Sequence, residues 1–306
     1  MNILVIGGAG YLGTSLIESL AESDDVEKII LYDNMSRGNY NVFLGKKFKN
    51  HNRIEFVNGD ILDTRSLKKA MKGVDIVYHL AARVTTPYAN LDPHIYEQVN
   101  HWGTAEVVSA VEESEVKQFV YLSSTSVYGA SDNRANEETP LNPKTFYGTS
   151  KLRAEQHVKR LVDKGRAVII RAGNVYGYSQ SMRFDAVINR FAFEANYLNR
   201  ISIQGSGKQS RAFVHIKAIT KVLKDLPKAD VPSGIYNLAL SNYSVLDLVD
   251  VFKELRPNLE FIFVDQHQEL RNFELDMNLK LANYMQLPKV GNLKDELEEF
   301  LAEFSF

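Results

Sequence analysis

The chain has 306 residues, 44% hydrophobic and 24% charged, which is typical of a globular protein with room for about two domains of ~150 residues. A formal charge of -2 excludes bulk attraction to nucleic acid or an anionic membrane, and no apolar run approaches the ~18 residues of a membrane span. The absence of cysteine excludes disulfides, thiolate zinc sites and a cysteine nucleophile, and the seven histidines lack metal-ligand spacing, so no metal site is predicted.

The first strand and the turn after it carry the strongest signal. Residues 3–6 are branched aliphatics, typical of a buried parallel strand, and Gly7, Gly10 and Gly13 follow before a helical pattern. Such a turn lets the backbone approach a pyrophosphate whose charge lies at the helix N-terminus. A second strand, 28–32, leads into Asp33, 20 positions past Gly13, where an acidic residue is expected to bind ribose hydroxyls. We predict a dinucleotide site; a glycine turn beside a solvated aspartate is the alternative.

Strands and helices alternate through the first half, which predicts an α/β fold with a doubly wound parallel sheet. Further strands are predicted at 53–57, 75–80, 117–122 and 167–171, and helices at 63–73, 93–113 and 147–163. Beyond residue 173 the pattern loosens into strand-like pieces at 200–203 and 261–264, with helices near 184–196, 217–226, 245–255 and 293–304. We predict a dinucleotide-binding domain over 1–173, with a returning strand near 234–239, and a smaller mixed α/β substrate-binding region over 174–306.

A tyrosine and a lysine four residues apart provide the second signal. Tyr147 is the one tyrosine of the 15 with a lysine at this spacing, and on a helix Lys151 would share its face. A neighbouring ammonium lowers the pKa of a phenol toward working pH, as a catalytic base requires. Ser124, at the predicted end of the fifth strand, adds a hydroxyl at the edge where open α/β sheets bind ligands. The pattern alone is expected about once by chance in such a chain, and a capping role for Ser124 is the alternative.

Motifs spread over essentially the whole chain resemble the extended short-chain dehydrogenase/reductase family, and within it the NAD-dependent sugar-nucleotide epimerases and dehydratases, of the UDP-glucose 4-epimerase kind. The matching segments are residues 7–13, 33–34, 59–61, 79–82, 100–104, 122–129, 147–151 and 171–177. The resemblance implies NAD as cofactor. The cofactor-binding residues that it implies are Gly7, Gly10, Tyr11, Leu12, Gly13, Asp33, Asn34, Ser36, Asp60, Ile61, Leu80, Ala81, Ala82, Asn100, Ser123, Tyr147, Lys151 and Gly173. Arg37 is the counter-evidence, because a basic residue there suits the 2′-phosphate of NADP.

The resemblance also implies catalytic roles for Ser124, Tyr147 and Lys151. Tyr147 would be the acid/base, Ser124 would hydrogen-bond the reacting sugar oxygen, and Lys151 would bind the nicotinamide ribose and lower the Tyr147 pKa. The residues implied to bind a nucleotide-sugar substrate are Ser124, Tyr147, Asn174, Arg211 and Arg271. For the two arginines, an ordinary surface position is the alternative.

Several positions depart from the family pattern. Ala212 and Lys217 stand where acidic residues are usual, and Tyr178 stands where proline is common. Dehydratases of the family carry an Asp-Glu pair where this chain has Thr125 and Ser126, which cannot supply acid and base near neutral pH. These residues favour NAD-dependent epimerisation of a nucleotide sugar at C4, through a 4-keto intermediate. The alternatives are an NAD(P)-dependent reductase or dehydrogenase of a keto-sugar nucleotide or other carbonyl compound, and a non-catalytic nucleotide-binding protein.

We expect no nucleic-acid or membrane partner, and a cytoplasmic location without a signal peptide, because no basic segment precedes the first strand. By family resemblance we expect a homodimer, in which the helices near 93–113 and 148–163 form a four-helix bundle across a two-fold axis.

Overall fold

The computed structural model describes residues 1–44, 47–84, 92–130, 133–265 and 272–306. The helices of these residues are α1 (Tyr11–Ala21), α2 (Thr64–Ala70), α3 (Pro93–Tyr96), α4 (Gly103–Glu112), α5 (Phe146–Asp163), α6 (Val187–Phe193), α7 (Ile216–Asp225), α8 (Val245–Leu255) and α9 (Leu293–Ala302). The strands are β1 (Asn2–Ile6), β2 (Lys28–Asp33), β3 (Ile54–Asn58), β4 (Ile76–His79), β5 (Gln118–Ser124), β6 (Ala167–Ala172), β7 (Asn174–Tyr176), β8 (Arg200–Gln204), β9 (Ser210–His215), β10 (Gly234–Leu238), β11 (Ser241–Ser244) and β12 (Glu260–Val264). A π-helical segment, Glu97–Trp102, joins α3 to α4.

A seven-stranded parallel sheet forms the centre of the molecule. Its strand order is β10-β6-β5-β4-β1-β2-β3, and β10 pairs with β6 with Gly234 opposite Val168. The returning strand predicted near 234–239 therefore lies in this sheet. Because β1 is flanked by β2 on one side and β4 on the other, the strand order reverses there, and ligands of doubly wound sheets bind at such a point.

Helices cover both faces of this sheet, as the alternating pattern predicts. On one face α1 and α7 pack together through apolar residues that include Leu16, Ile17 and Ile219. On the other face α2, α4 and α5 bury residues that include Leu67 and Val158. Two covered faces explain why residues 3–6 of β1 are all apolar, since neither side of this part of the strand meets water. The doubly wound α/β fold is confirmed.

The remaining strands build two small sheets beside the main one. β7, β9 and β11 form a three-stranded sheet, in which β7 runs parallel and β11 antiparallel to β9. β8 and β12 form a parallel pair, although about 60 residues separate them in sequence. A separate apolar cluster, with Phe191, Phe252, Leu297 and Phe300 among its members, joins these sheets to α6, α8 and α9. Among the described helices, none is long and apolar enough to cross a bilayer.

Candidate active site

The glycine turn after β1 forms a cradle at the reversal of strand order. Gly7 has φ +83, and a Cβ there would lie 2.5 Å from the amide nitrogen of Ala81, so only glycine fits. Gly10 precedes α1 and supplies no side-chain cap. Within the described part of the chain, the amides of residues 11–13 have no hydrogen-bond acceptor. Three open amides at a helix N-terminus fit an anion such as a dinucleotide pyrophosphate.

Acidic side chains lie at the ends of the two neighbouring strands. The carboxylate of Asp33, at the end of β2, accepts hydrogen bonds from the amides of Ala9 (3.1 Å) and Met35 (2.9 Å). Burial raises the pKa of Asp33, and these two amides oppose that shift. Asp60 follows β3 and accepts a 2.7 Å hydrogen bond from Asn34. The predicted adenosine-binding residues therefore lie together, and a carboxylate at Asp33 disfavours a ribose 2′-phosphate.

Alanine and glycine residues follow the ends of β4 and β6, and those after β4 lie next to the glycine cradle. Leu80, Ala81 and Ala82 are partly buried, with the backbone of Ala81 against Gly7. Gly173 donates from its amide to Leu238 (2.9 Å), and a Cβ there would lie 2.7 Å from the carbonyl oxygen of Ala212. Ala81 and Gly173 therefore allow close backbone packing, and the predicted contact of these residues with the cofactor stays a prediction.

The structure brings Ser124 and Tyr147 together. Ser124 ends β5, and Tyr147 lies in the first turn of α5, which Thr145 caps by accepting from the amide of Gly148 (3.0 Å). Burial raises the pKa of the Tyr147 phenol, while the positive charge of Arg183 and a hydrogen bond with Ser124 lower it. A phenol whose pKa is lowered by a neighbouring hydroxyl and by a guanidinium suits proton exchange with a bound alcohol.

Lys151 is a buried amine whose environment lowers its pKa. Its side chain is 2% exposed, its Nζ donates to the carbonyl of Leu122 (2.8 Å), and Nζ lies 4.7 Å from the ring centre of Tyr121. Burial lowers the Lys151 pKa to about 7, although Glu155 opposes that shift. An amine with this pKa is neutral before a phenol of raised pKa ionises. In this structure Arg183 is the positive charge that lowers the Tyr147 pKa, and the expected effect of Lys151 on that pKa stays a prediction.

A buried ion pair lies behind the catalytic residues. Glu155, one turn after Lys151, accepts from Arg171 Nε (3.0 Å) and Nη2 (2.7 Å), and both side chains are buried. Ser123 donates to Glu155 Oε1 (2.5 Å), and Arg171 donates to the hydroxyl of Tyr128 (2.9 Å). The side chain of Ser123 thus hydrogen-bonds to this ion pair, and the predicted cofactor contact of Ser123 stays a prediction. The sequence motif contained Ser123, but the partner of its hydroxyl required the fold.

The side chain of Asn100 also forms hydrogen bonds within the protein. It is fully buried, its Oδ1 accepts from the amide of Arg83 (2.7 Å), and its Nδ2 donates to the carbonyl of Arg83 (3.0 Å) and to Ser150 (3.0 Å). A side chain with all these partners fixes the segment after β4. The predicted contact of Asn100 with the cofactor stays a prediction.

His79 is buried, and the sequence analysis assigns no role to it. Its Nε2 lies 2.9 Å from Thr104 Oγ1, and the Thr104 hydroxyl donates to the carbonyl of Asn100 (2.6 Å). Since that hydroxyl proton is used, Nε2 is the donor, and Nδ1 has no partner in the described structure. Burial lowers the His79 pKa to about 3, so the ring is neutral at physiological pH.

Two of the residues predicted for the substrate, Asn174 and Arg211, lie on the three-stranded sheet. Asn174 begins β7 and donates to the carbonyl of Ala212 (3.1 Å), and Arg211, on β9, donates to the carbonyl of Ser210 (2.8 Å). The pairing of β7 with β9 therefore brings the two near each other from distant parts of the sequence. Arg271 lies outside the described residues.

The segment after Ser124 contains hydroxyls in place of carboxylates. Thr125 is buried, and the Ser126 hydroxyl lies 3.0 Å from that of Ser124. Among the described residues, no carboxylate shifts the Tyr147 pKa. Among the described residues, no cluster of three or more histidine, aspartate or glutamate side chains is placed to hold a metal ion.

Comparison with known proteins places this arrangement in a family. A family model described as "NAD dependent epimerase/dehydratase family" matches residues 3–239. A human dTDP-D-glucose 4,6-dehydratase is 30% identical over 294 residues, covering 94% of this chain and 81% of that protein. A putative UDP-glucose 4-epimerase of Methanocaldococcus jannaschii is 29% identical, covering 97% of this chain and 96% of the relative.

A solved structure shares the whole fold. A variant UDP-glucuronic acid 4-epimerase from Bacillus cereus, solved with NAD and a fluorinated UDP-sugar, superposes with a TM-score of 0.89 at 23% identity, covering 99% of this chain and 98% of the other. The family match extends over the glycine cradle, Ser124, Tyr147 and Lys151. The chain therefore belongs to the NAD-dependent epimerase/dehydratase family, and the dinucleotide that its glycine cradle fits is NAD.

Proposed function

We propose that this enzyme interconverts the C4 epimers of a nucleotide sugar. The observation that carries the proposal is that the Ser124 hydroxyl lowers the Tyr147 pKa and lies 3.0 Å from the hydroxyl of Ser126, in a segment where a dehydratase of the family carries two carboxylates. The likeness to the putative UDP-glucose 4-epimerase over nearly the whole of both chains supports it.

Tyr147 would accept the proton of the sugar 4-hydroxyl and return it to the 4-oxygen of either epimer. Ser124 would hydrogen-bond the same oxygen and hold it against the phenol. Arg183 favours the phenolate by its charge, which offsets part of the cost of ionising a phenol in this site. When bound, NAD supplies a reversible hydride acceptor, so no net oxidation of the sugar is needed.

The substrate would lie between the two regions of the chain. We propose residues 1–173 as the NAD-binding part and 174–306 as the substrate-binding part, with Asn174 and Arg211 near the nucleotide diphosphate. Arginine suits that role because its planar guanidinium can bond two phosphate oxygens at once.

A dehydratase is the second candidate, because the human relative carries that name and covers most of this chain. Removal of water needs an acid and a base beyond the tyrosine, and neither Thr125 nor Ser126 can act as one near neutral pH. The geometry therefore favours the epimerase.

We also propose that the enzyme is a homodimer. Trp102 and Phe146 are 58% and 45% exposed, and they lie on the π-helical segment before α4 and at the start of α5. Large exposed aromatic side chains on packed helices suit a four-helix contact with a second copy. Light scattering at micromolar concentration should give the mass of two chains, and a monomer would contradict the proposal.

A panel of UDP- and dTDP-sugars tests the reaction directly. The purified enzyme should convert at least one sugar into its C4 epimer, identified by NMR after chromatography, without net formation of NADH. A product that has lost water would favour the dehydratase, and stoichiometric NADH would favour a dehydrogenase. No conversion of any sugar by a protein that binds both NAD and a nucleotide sugar would favour a non-catalytic binder. Tyr147→Phe serves as the control for contaminating activity.

A further inference from the structure

One aspartate brings together two arginines from distant parts of the chain. Asp185 accepts from Arg183 Nε (3.0 Å) and Nη2 (2.9 Å), and it lies 3.8 Å from Nη2 of Arg37. Arg183 also donates to the carbonyl of Val84 (3.1 Å). The guanidinium of Arg183 is therefore held by both the segment after β4 and the segment before α6.

A third arginine adds to this cluster. The positive charges of Arg183 and Arg83 both act on Arg37, whereas Asp185 and Asp33 oppose them. Among the described residues, these three guanidinium groups exceed the two carboxylates by one positive charge. The place is partly buried, since the side chains of Arg37 and Arg183 are only 32% and 24% exposed. Like charges gathered away from water are unfavourable unless an anion neutralises them.

The segment that contains Arg183 is hydrogen-bonded to the start of α1. The hydroxyl of Tyr11 donates to the carbonyl of Gly177 (2.6 Å), and Ser179 donates back to the carbonyl of Tyr11 (2.8 Å). Thr14 donates to Ser181 (2.9 Å). The arginine cluster is thus tied to the same helix end that leaves the amides of residues 11–13 open.

We propose that Arg37, Arg83 and Arg183 bind the diphosphate of NAD, with Asp185 holding Arg37 and Arg183 in place. Arg37 and Arg83 follow the ends of β2 and β4, the two neighbours of β1, whose own end carries the glycine cradle. The residues proposed for the substrate diphosphate lie instead on the small sheet. The proposal rests on the NAD site and is independent of the reaction that the enzyme performs.

Calorimetric titration of the full-length protein, freed of bound nucleotide, tests this with four probes: NAD, ADP-ribose, adenosine and UDP. Arg183→Gln and Arg37→Gln should each weaken the affinity for NAD and for ADP-ribose by about tenfold or more, because each removes a charge-assisted hydrogen bond to phosphate. Adenosine, which lacks the diphosphate, should bind unchanged. Arg183→Lys should be intermediate, because lysine keeps the charge but loses the planar pair of donors.

Arg65→Gln is the matched control, since Arg65 is an exposed arginine on α2, and its NAD affinity should equal that of the wild type. Unchanged NAD and ADP-ribose affinity in both glutamine variants would overturn the proposal. So would weakening of UDP alone, which would assign the cluster to the substrate, or equal weakening of adenosine, which would show a general loss of structure. If Arg183→Gln fails to fold by circular dichroism, Arg37→Gln and Arg83→Gln decide the outcome by the same titrations.

Discussion

Replacement of Arg171 by methionine tests the buried ion pair behind the site. The change removes two hydrogen bonds to Glu155 and one to Tyr128, and it leaves a carboxylate that is only 1% exposed without its cation. Removing one partner of a buried ion pair costs about 3–5 kcal/mol, because the remaining charge is desolvated and unpaired. We therefore expect Arg171→Met to lower the free energy of unfolding by about 3–5 kcal/mol.

Urea unfolding of the variant beside Arg134→Met measures this cost. Arg134 forms an ion pair with Glu274 at 3.1 Å, but its side chain is 66% exposed, so its loss should cost about 0–1 kcal/mol. The double variant Arg171→Met with Glu155→Leu should recover much of the lost stability, because no buried charge then remains. An Arg171→Met variant that loses no more stability than Arg134→Met would refute the reasoning.

Three further predictions concern the catalytic residues and the cradle. Tyr147→Phe should reduce turnover by a factor of about 10² to 10⁴ while NAD still binds. The control Tyr284→Phe, at an exposed tyrosine, should keep the wild-type rate. A wild-type rate in Tyr147→Phe would show that Tyr147 is not the base. Lys151 has a pKa of about 7 when folded and an ordinary value of 10.5, so the unfolded chain binds more protons between these pH values. Wild-type stability relative to Lys151→Met should therefore rise with pH from about 7 to about 10, by urea unfolding at each pH, and a flat difference would contradict the shift. Gly7→Ala should abolish NAD binding, measured by calorimetry, because a Cβ at this position has no space. Gly38 also has a positive φ, +66, but no neighbour within 4 Å, so Gly38→Ala should keep NAD binding. Equal NAD affinity in the two variants would contradict the claim that the glycine cradle binds NAD.

The main sheet could be predicted because its strands are short, apolar runs between helices. The predicted third strand is shifted by one residue from β3, and the predicted sixth strand begins where β6 begins and ends one residue earlier. The three-stranded sheet could not be predicted, because β7 has only three residues and β11 reads Ser-Asn-Tyr-Ser, without apolar alternation. Such strands form because their neighbours in space provide the hydrogen bonds, and sequence patterns do not show those neighbours.

The candidate site shows the same division. Ser124 and Tyr147 lie in recognisable motifs, and their contact follows from where β5 ends and α5 begins. Asp185 bridges Arg37 and Arg183, which are 146 positions apart, and no local pattern marks that contact. The lowered Lys151 pKa could not be predicted either, because it follows from burial of the amine and not from its spacing to Tyr147.

The fate of the hydrogen at C4 tests the proposed reaction most directly. A nucleotide sugar deuterated at C4 would be incubated with the enzyme, and both epimers would be separated and analysed by mass spectrometry and NMR. The proposed mechanism predicts that deuterium stays at C4 in both epimers, with unchanged mass and no accumulation of NADH. Deuterium lost to solvent or moved to another carbon, or a product lighter by one water, would contradict it.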